Sequence, residues 1–414
     1  MKFEVTIGNK VSFSPDAFGI TGGAFGTVGH AEITTSRALL STLGIDLLSM
    51  TSGNPSDTEV GIIVTNPDNS LSKLFGGEHM ATHWDYDSDS VTLHCRDWSG
   101  VLVDQKRILT SVNGGTSIAA PLAPGQQSPT GINTTNQTVS QLVAQIATQW
   151  GLTFVNNFDP NNDPNYGTFY GTDTTLMSIP KSVWGILNEW ARDLGYEVYV
   201  TPTKQLVFGI PGAGVAMQPL SYNTSPVPSG AVPCRHLTIE HNPRRNSTFR
   251  VLVSSYDPLK GQPVVGRATV VSQNLNASGL EPGTYVGQDA ITVDAQFKDF
   301  GDRVQLYSFN VDGLTQEQAT TKAQAIANDI SKREILLQAE FDGLASIVPT
   351  QMVSVSGNVD SIARGYNYYI SSFHHSFKMP RGAHKDGMGW LTTIRCLNLP
   401  IQQHQSLISR GKTL

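Results

Sequence analysis

Ser182 to Phe208 reads SVWGILNEWARDLGYEVYVTPTKQLVF, and a related phrase, VSQLVAQIATQWGLTFV, stands at Val139 to Val155. Offset by 44 positions without gaps, Leu142 falls on Ile186, Ile146 on Trp190, Ala147 on Ala191, Trp150 on Leu194 and Gly151 on Gly195. Each copy is a short amphipathic helix stopped by a glycine that can take the left-handed conformation, followed by an apolar strand. Thr138 and Gln141 have capping-box spacing, so the first helix begins after Thr138 and carries Val139, Leu142, Val143 and Ile146 on one stripe. The second, around Val183 to Leu194, places Val183, Leu187, Trp190, Ala191 and Leu194 on one side. A strand pair with a Pro-containing turn, YEVYV-TPTKQ-LVFGI, completes a small α/β insert. Trp184 and Trp190 are expected in its core.

Working outward from the insert, the chain is strand-like on both sides. Before it, Phe3, Val5 and Ile7 alternate with polar residues, and EVGIIVT (59–65) and SVTLHC (90–95) are short apolar runs bounded by turn residues. The alternation at the N-terminus reads as a strand and not a signal peptide. After it come LTIEHN, STFRVLVSSY, GRATVVSQ and RVQLYSFNV, then strands at Ile335–Phe341, Met352–Ser356, Tyr366–Phe377 and Trp390–Leu397. One helix interrupts them: Thr315 and Gln318 have capping-box spacing, and Ala319, Ala323, Ile326, Ala327 and Ile330 make a narrow stripe that can lie close against a sheet.

The chain has 414 residues, more than the roughly 250 to 300 at which one core stops growing, so several domains are expected. Charged residues are 15% of it, against about 25% in ordinary globular proteins, with 39 Gly and 22 Pro. From Ile108 to Phe158 no Asp, Glu, Lys or Arg occurs, and a second uncharged stretch runs from Gln205 to Cys234. The first is read as an extended arm lying on protein surface. A net charge of -6 argues against a surface built on phosphate neutralisation; the one dense basic run, Arg244-Arg245, is a solvated turn. Cys95, Cys234 and Cys396 are too scattered for a disulfide framework and are expected as buried free thiols, in a protein made and folded in a reducing cytoplasm. No segment has the roughly 18 uninterrupted apolar residues of a membrane span.

The phrase from Ser182 to Phe208 resembles a segment of baseplate hub proteins of contractile-tailed bacteriophages, the late control D-like family. VTLHCRDWSGVLVDQKR (91–107) and the run from Gln316 to Gly357, with its Ala-rich helix, REILLQAEFDG, Pro349 and the strand MVSVSG, resemble it as well. One departure is Pro349-Thr350, where the family usually has Pro-Gly, so a positive φ cannot be assumed and the turn type stays open, though not the strand it introduces. The resemblance implies a β-rich α+β fold with two tail-tube-like β-barrels, a small α/β insert and one helix packed on the second barrel. The expected division is 1–110 first barrel, 111–136 extended uncharged arm, 137–215 insert with two helix-Gly-strand units, 216–400 second barrel with helix 315–332, and 401–414 a C-terminal tail. It further implies a homotrimer that joins the tail tube protein to the central spike protein in the virion baseplate. Tape measure and baseplate wedge proteins are further implied partners, and DNA passes through the lumen during genome ejection without specific binding.

No catalytic, cofactor or metal residue is nominated. Asp85, Asp87 and Asp89 have the opening spacing of a calcium loop, but Ser90 and Arg96 stand where Gly and Glu are required, which leaves a hairpin turn. Gly22, Gly23, Gly26 and Gly29 lack the GK[ST] of a phosphate loop and read as a flexible connection. His374 and His375, like His94 and Cys95, point to opposite faces of a strand. Glu189 and Asp193, at i and i+4, have the spacing of a glycosidase pair but fall on the polar side of their helix, where a solvated face is expected. A tail-associated hydrolase acting on carbohydrate or peptidoglycan is the alternative to a structural hub.

Overall fold

The structure, a computed structural model, describes residues 1–8, 11–24, 26–45, 58–104, 106–112, 115–119, 132–133, 137–159, 163–165, 181–242, 249–257, 260–271, 283–286, 305–333, 335–360, 364, 367–379 and 389–398. The expected tail at 401–414 and the Arg244-Arg245 pair lie outside these residues. Seven strands open the chain: β1 (Lys2–Ile7), β2 (Val11–Phe13), β3 (Ala17–Gly23), β4 (His30–Ser36), β5 (Glu59–Thr65), β6 (Leu71–Asp85) and β7 (Ser90–Asp97). Helix α1 (Arg37–Thr42) follows β4 and helix α2 (Ser99–Asp104) follows β7. The strands pair in the order β2-β1-β5-β6-β7-β4-β3. Alternation puts Phe3, Val5, Ile20, Ile33, Ile62, Val91 and Leu93 on one buried face.

The next stretch builds the insert. β8 (Lys106–Val112), β9 (Gly115–Ala119) and β10 (Ile132–Asn133) form a sheet of their own, closed by β12 (Lys181–Ser182) on β8. Within the described part of the uncharged arm, β9 pairs with both β8 and β10. Helix α3 (Val139–Gln149) carries the capping box at Thr138 and Gln141, and Gly151 has a φ of 68°. Helix α4 (Val183–Leu194) is capped by Ser182 and ends at Gly195, φ 71°. β11 (Thr153–Asn157) and β13 (Glu197–Val200) flank β14 (Gln205–Gly209), the first parallel and the second antiparallel to it. α4 buries Trp184 and Ile186 as well as the expected stripe, since it lies between this sheet and the α2 side of the first strands.

The remainder is β15 (Gln218–Tyr222), β16 (Val232–His241), β17 (Phe249–Asp257), β18 (Gln262–Val271), β19 (Gly283–Val286), β20 (Gln305–Asn310), helix α5 (Gln316–Ser331), β21 (Ile335–Asp342), β22 (Met352–Gly357), β23 (Tyr368–Lys378) and β24 (Leu391–Asn398). Six of these strands pair in a closed circuit, β15-β16-β21-β24-β23-β22 and back to β15. β23 belongs to two neighbourhoods. Its first residues pair with β22, and Ser372–Lys378 pair with β3, so the first seven strands and the circuit form one 13-stranded sheet over a shared core.

The mainly β character with few helices is as the sequence predicts. The helix expected on the second strand-rich region lies on strands of that region: α5 covers a four-stranded sheet, β19-β18-β17-β20, which is separate from the 13-stranded one. Ala319, Ala323 and Ala327 are fully buried there, and the approach is so close that a Cβ on Gly266 of β18 would lie 1.9 Å from the Ala319 carbonyl oxygen. The turn before β22, which the sequence leaves open, takes a positive φ without a glycine. Thr350 adopts a φ of 64°, a left-handed conformation unusual for a β-branched residue, held by its N–H on the Ile370 carbonyl at 2.8 Å.

Candidate functional site

The chemical candidates of the sequence do not come together. Asp85 spends its Oδ1 on the backbone N–H groups of Asp87 and Ser88 (3.0 and 3.3 Å) within the β6–β7 hairpin, while Asp89 pairs with Arg37 of α1 at 3.0 Å. Gly22 and Gly23 lie within β3 itself, and the loop after it is tied down and not simply flexible. Gly29 N–H donates to Asp97 Oδ2 at 2.9 Å, and the Trp184 indole N–H donates to the Gly26 carbonyl at 2.8 Å. Burial pushes the Asp97 carboxyl up to about 6, against the bonds it accepts from Ser99 and Gly29. His375 is buried on Thr392 Oγ1 at 2.8 Å and pushed down to about 3 by desolvation, whereas His374 is exposed on the other face. Cys95 and Cys396 are buried and free, and Cys234 is half-buried. Burial raises the Cys95 thiol to about 12, which removes it from thiolate chemistry near neutral pH.

Asp193 departs from expectation. Its side chain is 15% exposed and accepts from Lys322 Nζ of α5 at 2.8 Å, because α5 packs on the side of α4 that spacing alone assigns to solvent. Burial raises its pKa, opposed by Lys322. Glu189 is half-buried on the same helix. Among the described residues no group of three or more His, Cys, Asp and Glu is arranged to hold a metal ion, and no helix is long and apolar enough to cross a membrane.

What the fold does assemble is a junction. Glu197 of β13, Lys332 at the end of α5 and Tyr369 of β23 meet in the interior: Lys332 Nζ lies 3.0 Å from Glu197 Oε1, with side chains 5% and 3% exposed, and the Tyr369 hydroxyl donates to the same oxygen at 3.4 Å. Insert, α5 and strand circuit are thus pinned at one point. Desolvation raises Glu197 and Tyr369, and Lys332 opposes the shift on the carboxyl. On the opposite flank the turn of the insert docks on the first strands. Lys204 Nζ sits 4.1 Å from the Trp98 ring centroid and 3.1 Å from Glu59 Oε2, and the Trp98 indole N–H reaches the Pro202 carbonyl at 3.3 Å. Sequence reasoning missed these pairs; the one local signal was a carboxylate, Glu197, in an otherwise apolar strand.

Opposite the core, eight consecutive strands, β6-β7-β4-β3-β23-β24-β21-β16, present a face of exposed and half-exposed side chains. One row crosses all eight: Glu78, Arg96, His30, Thr21, His374, Thr393, Glu340 and His236 are successive cross-strand partners. With strands about 4.8 Å apart, the row runs for roughly 34 Å. Arg96 lies 3.7 Å from Glu78 and bonds Asp104 in a fork, His94 Nδ1 is 3.5 Å from Glu32, and Thr21 Oγ1 is 2.9 Å from His374 Nδ1. The face is polar, carries more carboxylates than fixed cations, and is rich in threonine and histidine. It offers a long surface for lateral contact.

Two solved tail proteins share this fold from end to end. A tail protein from Neisseria meningitidis MC58 superposes at a TM-score of 0.58 with 13% identity, over 96% of this chain and 96% of that one. The 43 kDa tail protein of prophage MuSo2 from Shewanella oneidensis superposes at 0.54 with 13% identity, over 96% of this chain and 98% of its own. No protein-family model matches the sequence, and no curated protein matches it. At this identity the likeness establishes the fold, a tail-protein fold.

Proposed function

We propose that the chain is a structural hub of a phage tail baseplate, a homotrimer joining the hexameric tail tube to the trimeric central spike and forming part of the DNA channel. The observation that carries the reading is the shared fold with two tail proteins over 96% of this chain. Symmetry supplies the logic. A tube ring needs a sixfold platform and a spike a threefold one, and a trimer whose subunits each carry two similar β units offers both. In this reading the first seven strands and the six-stranded circuit are the two tube-like barrels, and residues 137–215 are the lateral insert. The barrel of 216–400 is interrupted by the α5-covered sheet.

The uncovered eight-stranded face then lines the channel. Tube and spike proteins are the direct partners, tape measure and wedge proteins the neighbours, the virion the location, and no catalysis is assigned. The hydrolase alternative loses its best carboxylate, because Asp193 is engaged by Lys322.

Native mass spectrometry of the purified chain, alone and with its tube and spike, tests the reading. A trimer, or a trimer formed on the spike, is expected. A monomer persisting with both partners present refutes it, and peptidoglycan turnover abolished by Glu189→Gln would move the assignment to a hydrolase.

A further inference from the structure

Histidines are concentrated on the uncovered face. Three of them, His236, His374 and His30, stand in the single row that crosses the eight strands, and His94 and His83 stand on the same face one and two rows away. His30, His83, His236 and His374 are exposed, and the His94 side chain is 44% exposed. Their surroundings are mixed in sign. Glu32 faces His94 and lies near His374, Glu340 is the cross-strand partner of His236, and Arg96 that of His30, itself satisfied by Glu78 and Asp104. Asp85 lies near His83 at the hairpin tip, and His79 stands behind His94 on the core side. The remaining charges of this face are Arg395, Lys378 and Glu240, with Arg235 and Asp342 paired to each other.

Of the charged groups just named, seven are carboxylates and four are fixed cations, so the face is net negative while its imidazoles are neutral and changes sign only when at least four of the five carry charge. Imidazole is the side chain whose ordinary range of charge change lies between mild acid and neutrality, so a histidine-rich face is where such a pH change can alter surface charge. Each charge gained next to a duplex is a potential phosphate contact that releases counterions.

We propose that this face is a proton-switched polyanion surface, which leaves duplex DNA free to slide when its histidines are neutral and retains DNA when they are protonated. The inference rests on reading the face as the wall of the conduit. Desolvation and His30 lower the pKa of His374, with Glu32 opposing. Passage would then be smooth in a neutral medium and subject to drag in an acidic one.

The test is fluorescence anisotropy of a labelled DNA duplex with the purified full chain at about pH 7.5 and about pH 5.5, at constant salt, where affinity should rise about tenfold or more in acid and become steeply salt-dependent. The variant His30→Gln/His236→Gln/His374→Gln should lose most of that gain. Its counterpart His30→Arg/His236→Arg/His374→Arg carries the charge permanently and should bind DNA at the higher pH, a measurement independent of acid stability. Equal affinity at both pH values, an acid gain surviving in the glutamine variant, or an arginine variant that does not bind would each overturn the proposal. Native mass on the same samples separates the two readings. A trimer without acid-induced binding removes the switch and leaves the hub, whereas a persistent monomer that binds DNA in acid removes the hub and leaves the surface.

Discussion

Replacing Lys332 by Met keeps most of the side-chain volume and the aliphatic stem but removes the ammonium from a site where it is 5% exposed. The Glu197 carboxylate, 3% exposed, is left with the Tyr369 hydroxyl at 3.4 Å as its remaining partner among the three. Breaking a buried pair from one side costs about 3 to 5 kcal/mol, because an uncompensated charge stays behind in low dielectric. The double variant Glu197→Leu/Lys332→Met removes both charges and should recover wild-type stability or exceed it by about 1 to 4 kcal/mol, since desolvation is no longer opposed to folding. Chemical denaturation followed by tryptophan fluorescence reports on the site, as Trp184 and Trp190 lie in the adjoining insert core. The pH dependence has a definite sign. Burial raises the Glu197 pKa in the fold, so its ionisation opposes folding as the pH rises, and loss of Lys332 widens that window. The deficit of Lys332→Met should therefore shrink as the pH falls. A single variant costing less than about 1 kcal/mol, or a double variant no better than the single, would show that the pair is not a buried and mutually dependent one.

Trp190→Ala should cost about 3 to 5 kcal/mol, since the side chain is 2% exposed in the insert core; a melt shifted by less than a degree would refute its burial. Gly266→Ala should cost at least about 2 kcal/mol and raise hydrogen exchange across Gln316–Ser331, because the added Cβ meets helix backbone and not a flexible side chain; unchanged exchange there would refute the close packing. His375, held near 3 in the fold and titrating near 6.5 when unfolded, keeps its full contribution above about pH 6.5 and loses stability as the pH falls, by about 1.4 kcal/mol at pH 5.5. His375→Gln should flatten that acid limb, and an unchanged limb would assign it to other groups.

The helices were legible because their signals are local. A capping box needs residues three apart, and Thr138/Gln141 and Thr315/Gln318 both form it. Most strands were legible because alternation writes burial into neighbouring residues, as in β1, β7 and β21. Sheet order was not, since it depends on partners far away: Thr21 and His374 stand side by side although 353 positions separate them. Which sheet α5 covers was not legible for the same reason. Its stripe announces a close-packed sheet but not which one, and Gly266 identifies it only once β17 and β18 are paired. Asp193 was read as solvated because helical spacing sees its own helix and not Lys322, 129 positions on. Thr350 shows the converse, a conformation that local preference disfavours and tertiary hydrogen bonding imposes.

β23 explains why the uncovered face is a single surface. Along one edge it pairs with β24; along the other its first residues pair with β22 and its later ones with β3. A strand held on both edges cannot tilt without breaking ladder bonds to two neighbours, so the first seven strands and the circuit cannot rotate independently about it. Tyr369, at the start of the same strand, adds the buried contact to Glu197 and so carries the restraint into the insert. In the proposed hub this matters for symmetry. Six β units alternating around a channel make a sixfold platform only if the angle within each chain equals the angle between chains, and a strand paired with both units fixes the first of these angles through its ladder bonds. The second is left to contacts between copies, and it is there, not within the chain, that substitutions should uncouple trimer formation from folding.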